Sequence, residues 1–511
     1  MSAPARLTTI TAVLTAAVAG WAIGGYVWAA MGVVSGAAVF VVPWRSQTPW
    51  SWVMLWFRRN HPIVLAQPLT VANDRAGGGL RYQDGVAVAV IQLFGKAHAP
   101  TFLTGSNTTE TENTFDTRIL QTMLRQSLGL RIDSLSIVSS GARRRRTGDY
   151  SRVYDTLIGT PPYAGRRETW MIVRVAALPN AGSMSGRFSI GSATLAAAQR
   201  ICAALRQQGI RAKVATATDI VEIERRLGAA ALAAPNRRWG SVRTDGGWLT
   251  SYGYRPGDIT TGALALAWST GADGVTQNIS YFGDGTACAT VTLLTPQQPT
   301  AAPSVLLRPL CGEQARGIAA NLCGPMPVLR GVRRGIPTGP VAVPIGPSGV
   351  LLGKAGARNR MTLPLDDPAE SSRVHIAAED SLAKRIVVRL AAAGERVTVH
   401  TRDAGRWASV RMPDVMVTDR AKPMSGSTVS VVDGTLTPIP RPNTVVSVGG
   451  PDAPHRGAVD VLISQIGPAT VEVAARGREY IVEIELFRAE NRYVSPEPDF
   501  FGADEPALTG S

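Results

Sequence analysis

The chain opens on an uninterrupted apolar stretch: residues 7–44, thirty-eight in a row, contain no Asp, Glu, Lys, Arg or His. A helix crossing a hydrocarbon core of about 30 Å needs about 20 residues, so the stretch is too long for one pass and about right for two. Gly24 and Gly25, near its middle, supply the turn. The pattern predicts a two-helix transmembrane hairpin as the unit 1–44, with spans at 7–23 and 26–42. Gly20, Gly24, Gly32 and Gly36 offer its helices small faces for close packing and make the hairpin a candidate assembly surface.

After residue 43 the pattern changes to indoles among cations. Trp44, Arg45, Trp50, Trp52, Trp56, Arg58 and Arg59 suit the headgroup region, where ring bodies bury and polar tips stay wet, and predict an interfacial collar and linker over 45–68. Arg6 precedes the apolar run, Arg45, Arg58 and Arg59 follow it, and no acid occurs before Asp74. Both flanks carry the Lys/Arg excess that favours the cytoplasm, so both termini and the large domain are expected inside the plasma membrane. Two other readings compete. Ala17-Val18-Ala19 matches a signal-peptide cleavage site, but an h-region of about 7–15 residues should stop well before residue 42. A buried hairpin in a soluble core is opposed by the length of the uncharged run.

Downstream, hydrophobic positions switch repeatedly between periods of 2 and 3.6. A strand at 86–92, helical spacing of Phe115, Ile119 and Met123, strands at 132–137 and 170–178, a helix at 190–208, a short strand at 210–214 and a helix at 219–227 predict a first α/β domain over 69–235. A second unit over 346–490 is predicted from a strand at 374–377, a helix at 381–393 with Leu382, Ile386 and Leu390 on one face, and strands at 397–399, 429–432, 445–448, 459–463, 470–474 and 480–486. Between them, 236–345 reads as β-rich, with strands at 263–269, 275–282 and 286–294 and a Gly283-Asp284-Gly285 hairpin turn. The fold class is thus α/β with added antiparallel strands. The junction Leu390-x-x-x-Gly394-x-Arg396-x-x-Val399 matches Leu205-x-x-x-Gly209-x-Arg211-x-x-Val214, through internal duplication or through the shared grammar of a helix ending in glycine before a strand. Residues 491–511 read as a disordered acidic tail carrying Glu497, Asp499, Asp504 and Glu505.

The net charge of +15 over 511 residues comes mainly from arginine, spread thinly apart from Arg143, Arg144, Arg145 and Arg146. Beside a membrane that cluster suits a lipid or an acidic partner; the plain alternative is a solvated loop, and nucleic acid is not expected. Cys202, Cys288, Cys311 and Cys323 show no C-x-x-C spacing, so no zinc site is expected. Cys202 falls on an apolar helical stripe, and Cys311 and Cys323 would pair only if the domain lay outside the cell.

A search for chemistry finds no catalytic, cofactor or metal constellation. Residues 346–355 invite comparison with a phosphate loop, but Ser348 stands at the first glycine position and Ala355 where a Mg²⁺-binding Ser or Thr is required. Asp366-Asp367, between Pro364 and Pro368, reads as turn chemistry with a metal pair as the alternative. His61, His98, His375, His400 and His455 are scattered, although His375 and His400 lie in neighbouring predicted strands and could meet.

This layout resembles the EccE family of actinobacterial type VII (ESX) secretion systems. The resemblance rests on residues 7–59, on the arginine-rich 141–147 followed by Tyr154-Asp155-Thr156-Leu157-Ile158-Gly159, and on the block from Gly349 through Gly353 to Gly394. It implies a non-enzymatic structural subunit without a cofactor, joined to EccB, EccD and the ATPase EccC in an inner-membrane complex that exports small helical proteins. It also implies a cytoplasmic region similar in fold to glycosyltransferases but degenerate. The competing function, from another class, is a membrane-associated glycosyltransferase-like enzyme.

Overall fold

The computed structural model describes residues 3–42, 47–59, 61–71, 77–185, 189–233, 238–356, 359–455 and 457–495. Two apolar helices come first, α1 (Ala3–Gly24) and α2 (Tyr26–Phe40), separated by Gly25 alone. That residue sits at φ +75°, which a Cβ would oppose. At 1.5 Å per residue, the 22 residues of α1 reach about 33 Å and the 15 of α2 about 22 Å. Among the described residues only α1 is long and apolar enough to cross a membrane by itself. Leu7, Leu14, Trp21, Val27 and Met31 stand exposed around both helices, and no residue of α1 from Leu7 to Gly24 is buried. Such all-round exposed apolar surface suits lipid and argues against a hairpin buried in a soluble core. A third helix, α3 (Pro49–Arg58), follows, its first turn capped by the Thr48 hydroxyl, which accepts from Ser51 N.

Among the described residues the remainder builds two large sheets. The first is antiparallel and has eleven strands; Val86–Phe94, Arg166–Ala176, Ser134–Ala142, Gly274–Phe282 and Ala287–Thr295 lie side by side in that order at its centre. Helix Ile190–Gln207 covers one face through Leu195, Ala198, Cys202 and Leu205, the stripe predicted for Cys202. Helices Ala217–Arg226 and Gln314–Ala320 cover the other through Ile220, Ile223 and Ile318. The region 236–345 therefore has no large sheet of its own: its strands continue the sheet begun by 69–235, with Val275 paired to Gly141 and Phe282 to Ser134. The predicted strand 263–269 is instead helix Thr261–Leu266 and a following 3₁₀ turn, because the Thr260 hydroxyl caps Ala263 N and Ala and Leu favour helix.

The second sheet has twelve strands. Val415–Thr418, Val397–His400, Val429–Asp433, Thr444–Gly449, Ser372–Ala377 and Val461–Gln465 form a parallel half in that order, and the other half is antiparallel. It ends in a hairpin, Thr101–Thr104 and Thr108–Thr111, contributed by the N-terminal half of the chain. Helix Asp380–Ala393 is buried along almost its whole length, against the sheet and against helix Asp149–Ile158. The two matched junctions share their glycine conformation, Gly209 at φ +78° and Gly394 at φ +128°. Their strands differ, Arg211–Val214 pairing antiparallel and Val397–His400 parallel. Residues 491–494 fold as a short helix, so the tail predicted from 491 begins inside the fold, and 496–511 lie outside the described residues.

Candidate functional site

The glycines predicted for close packing face the other arm of the hairpin. A Cβ at Gly20 would overlap the Trp28 carbonyl, one at Gly32 the Ala16 carbonyl, and one at Gly24 the Trp28 indole; one at Gly36 would come 3.3 Å from Val13 Cα. Small residues thus let the two backbones touch, which is how helices associate where water gives no hydrophobic drive.

Trp44 and Arg45 lie outside the described residues. The rest of the collar is α3, a bridge between hairpin and domain. Trp50 meets Phe40, the last residue of α2, at 5.1 Å between ring centroids, and Trp52 meets Trp239 of the domain at 5.5 Å. Leu55 is buried, packed beside Gly312. Arg58 is the last residue of α3, and Arg59 places its guanidinium 4.3 Å from the Trp56 ring, whose outer face stays exposed with Phe57. The anchor of this junction is one carboxylate, Glu313, whose side chain is fully buried. It accepts from Gln47 Nε2 at 3.4 Å, Arg330 N at 2.9 Å and Gly331 N at 2.7 Å. Gln47 is three residues past the uncharged run, so the domain is fastened where the chain leaves the hairpin. Nothing in the local sequence marks Glu313, because its partners lie 266 residues before it and 17 after it.

Three of the four clustered arginines are turned inward. Arg143 is 2 % exposed; it pairs with Asp155 at 2.8 Å and donates to the Pro161 and Trp268 carbonyls at 2.8 and 2.9 Å. Arg144 lies between Asp155 and Asp273. Arg145 reaches the second sheet's side, pairing with Asp414 at 2.8 Å and donating to Gly394 O at 3.0 Å, while its amide donates to Ala392 O. Arg146 lies 3.7 Å from Asp273 and donates to the Gly246 carbonyl. Intrachain acids and carbonyls take up the guanidiniums of Arg143, Arg144 and Arg145, so that the loop links the two sheets, while the Arg146 side chain stays 43 % exposed.

A cavity of about 580 Å³ opens between the sheets. Its charged lining is mostly paired: Arg166 with Glu395 at 3.5 Å and Arg226 with Glu168 at 2.8 Å. Asp367, also in its lining, binds Arg211 at 2.7 and 2.9 Å and accepts from Ala369 N at 3.0 Å. Burial, with Glu395 nearby, pushes the Asp366 carboxyl up to about 7. Among the described residues no group of three His, Cys, Asp or Glu side chains is placed to hold a metal ion.

The remaining candidates lie apart from one another. Residues 350–355 of the loop compared with a phosphate site are a strand, Val350–Ala355, paired with Asn359–Leu363. His375 and His400 do not meet, because two strands stand between theirs; His375 bonds Ser447, and His400 bonds Ser430 and the Arg420 carbonyl. None of the four cysteines is in a disulfide.

Fold and junction together define a class: an α/β body of two large sheets carried on an apolar helical hairpin and locked to it through an aromatic helix. The chain belongs to the EccE family. Residues 163–254 match the family model described as EccE, a type VII ESX secretion system translocon. The chain is 46 % identical over 516 aligned residues to the ESX-2 secretion system protein EccE2 of Mycobacterium tuberculosis, covering 96 % of each. It is 26 % identical to the ESX-1 protein EccE1 of the same species, over 73 % of this chain and 77 % of that one. It is also 26 % identical to the ESX-5 protein EccE5 of Mycobacterium marinum, over 34 % of this chain and 44 % of that one.

Proposed function

We propose that this chain is a non-catalytic structural subunit of a type VII (ESX) secretion complex. In this reading the hairpin crosses the plasma membrane twice, with both termini and the two-sheet body in the cytoplasm, and the body docks EccB, EccD and the ATPase EccC. The observation that carries it is the junction: Phe40 on Trp50, Trp52 on Trp239 and Gln47 on Glu313 hold body and anchor as one unit. A fixed body presents its docking faces at a set angle to the membrane, so a weak cytoplasmic interface gains from the high local concentration that anchoring supplies.

A non-catalytic role also agrees with the parallel half of the second sheet. Ligands of such sheets lie outside the carboxyl ends of the strands. There Arg406 joins Asp380 to Asp433, and Trp407 Nε1 donates to Asp433 at 2.8 Å. A glycosyltransferase-like descent of this half would be supported by sugar-nucleotide binding at those ends.

Affinity purification of the tagged full chain from detergent-solubilised membranes tests the proposal. Recovery with EccB, EccC and EccD is expected, and recovery falls when Trp52 and Gln47 are both replaced by alanine although the protein stays in the membrane. Recovery of the intact protein alone would refute the subunit reading.

A further inference from the structure

The fastening at Glu313 places a second segment at the membrane exit. Residues 325–337 run through the corner where Glu313 takes the amides of Arg330 and Gly331, and Arg330 Nη1 lies 3.4 Å from Ser51 Oγ of α3. This loop is unlike an ordinary surface loop. Val328 is 70 % exposed and Ile336 76 %, and Arg330, Arg333 and Arg334 are exposed between them. Among the described residues none of the three pairs with a carboxylate within 4 Å, in a chain whose buried arginines are largely spent on partners of its own. Arg334 lies over the Phe282 ring at 3.5 Å, and Val332 and Leu329 pack inward against Leu310 and Phe282. The apolar tips are thus presented from a braced base. The exposed face of α3, with Trp50, Val53, Trp56 and Phe57, stands beside the same corner.

We propose that residues 325–337 form a second membrane contact, with Val328 and Ile336 entering the headgroup layer and Arg330, Arg333 and Arg334 binding the phosphates of anionic lipids. The inference rests on the reading of the hairpin as a membrane anchor. Two kinds of group at one place carry it: apolar side chains that gain by leaving water, and cations unpaired within 4 Å among the described residues, facing a surface whose potential is negative. Contact at α3 and at the loop would fix the tilt of the body as well as its distance from the bilayer.

The test uses the full chain in proteoliposomes, with Cys311→Ser as background and single cysteines at Val328, Ile336 or Leu14 carrying a fluorophore quenched by spin-labelled lipid. The Leu14→Cys label, on α1, reports the anchor. Quenching at Leu14 in all vesicles, with quenching at Val328 and Ile336 in phosphatidylglycerol vesicles that weakens in phosphatidylcholine alone, is expected. Arg333→Gln and Arg334→Gln should each lower the bound-to-free ratio of the loop about fivefold, from the contribution of one cation at an anionic surface. Quenching at Leu14 without quenching at Val328 or Ile336 overturns this proposal and assigns the patch to a protein partner. Absence of quenching at Leu14 overturns the anchor reading on which it rests.

Discussion

Replacing Glu490 by alanine should cost the second half of the molecule about 3–5 kcal/mol, the range for stripping one partner from a buried ion cluster. The Glu490 side chain is 1 % exposed and accepts Arg389 Nε and Nη2 at 2.8 Å, Arg385 Nη1 at 2.9 Å and the Tyr150 hydroxyl. Without it, Arg389 keeps three carbonyls, of Leu351, Leu352 and Glu485, but loses the counter-charge of Glu490. Glu490→Gln retains an acceptor and removes the charge, so it should cost about 1.5–3 kcal/mol. Burial works against the ionised carboxyl, yet the hydrogen bonds and charge of Arg389 outweigh it and hold the group below its ordinary 4.5. For a carboxyl depressed in the folded state, the stabilisation is complete above about pH 4.5 and is lost as pH falls through the lower folded value. Urea unfolding of the full chain in mild detergent, followed by tryptophan fluorescence and by hydrogen exchange of helix Asp380–Ala393, reads the effect. A loss under about 1 kcal/mol for Glu490→Ala at pH 7 would refute the argument that this cluster ties residues 488–494 to the sheet.

Other measurements follow from the same geometry. Gly32→Leu drives a side chain into the Ala16 carbonyl, so the helices must separate; the protein should still insert in the membrane while recovery with its complex falls, and unchanged recovery would leave the hairpin as an anchor only. Arg145→Ala removes the Asp414 pair and the Gly394 bond, and should cost about 2 kcal/mol and speed proteolysis between the sheets. Asp366 is raised in the folded state, so its stabilisation is full below about pH 4 and fades as pH climbs towards 7; Asp366→Asn should flatten that slope in pH-dependent unfolding curves. Cys323 is 1 % exposed and pushed up to about 12 by burial, so Cys311 should react first with maleimide in the folded chain. In intact cells an impermeant maleimide should reach neither, and labelling of Cys311 would place the body outside.

What could be read in the sequence was whatever is decided locally. The hairpin follows from an absence of charge and one glycine, and the Leu390 and Leu205 junctions from a helix that must stop before a strand. Individual strands such as 275–282 were equally plain, because apolar runs bounded by turn residues need no distant information. Sheet membership was not, since Val275 pairs with Gly141 and Asn359 with Thr104, partners that no window spans. The same distance hid the meaning of the arginines. A row of four cations reads as surface unless Asp155, Asp273 and Asp414 are known to converge on it, and those acids lie up to about 270 positions away.

The charge surplus takes on a different sense once those partners are known. Had Arg143, Arg144 and Arg145 faced outward with Arg146, the four would have been the natural lipid or partner contact, about as dense as any charge on the chain. Folding uses the first three to hold the sheets together, as it uses Arg389 and Arg385 within the second sheet and Arg81 against Glu224 in the first. An arginine engaged in this way contributes little field outside the protein. The cations that remain to act on a neighbour are those without a carboxylate within 4 Å, and among the described residues Arg330, Arg333 and Arg334 are such cations, gathered at the corner where Gln47 and Glu313 fasten the body to the exit of the hairpin. A high net charge thus bears on function through where its unpaired part lies, and in this chain an unpaired part lies against the anchor.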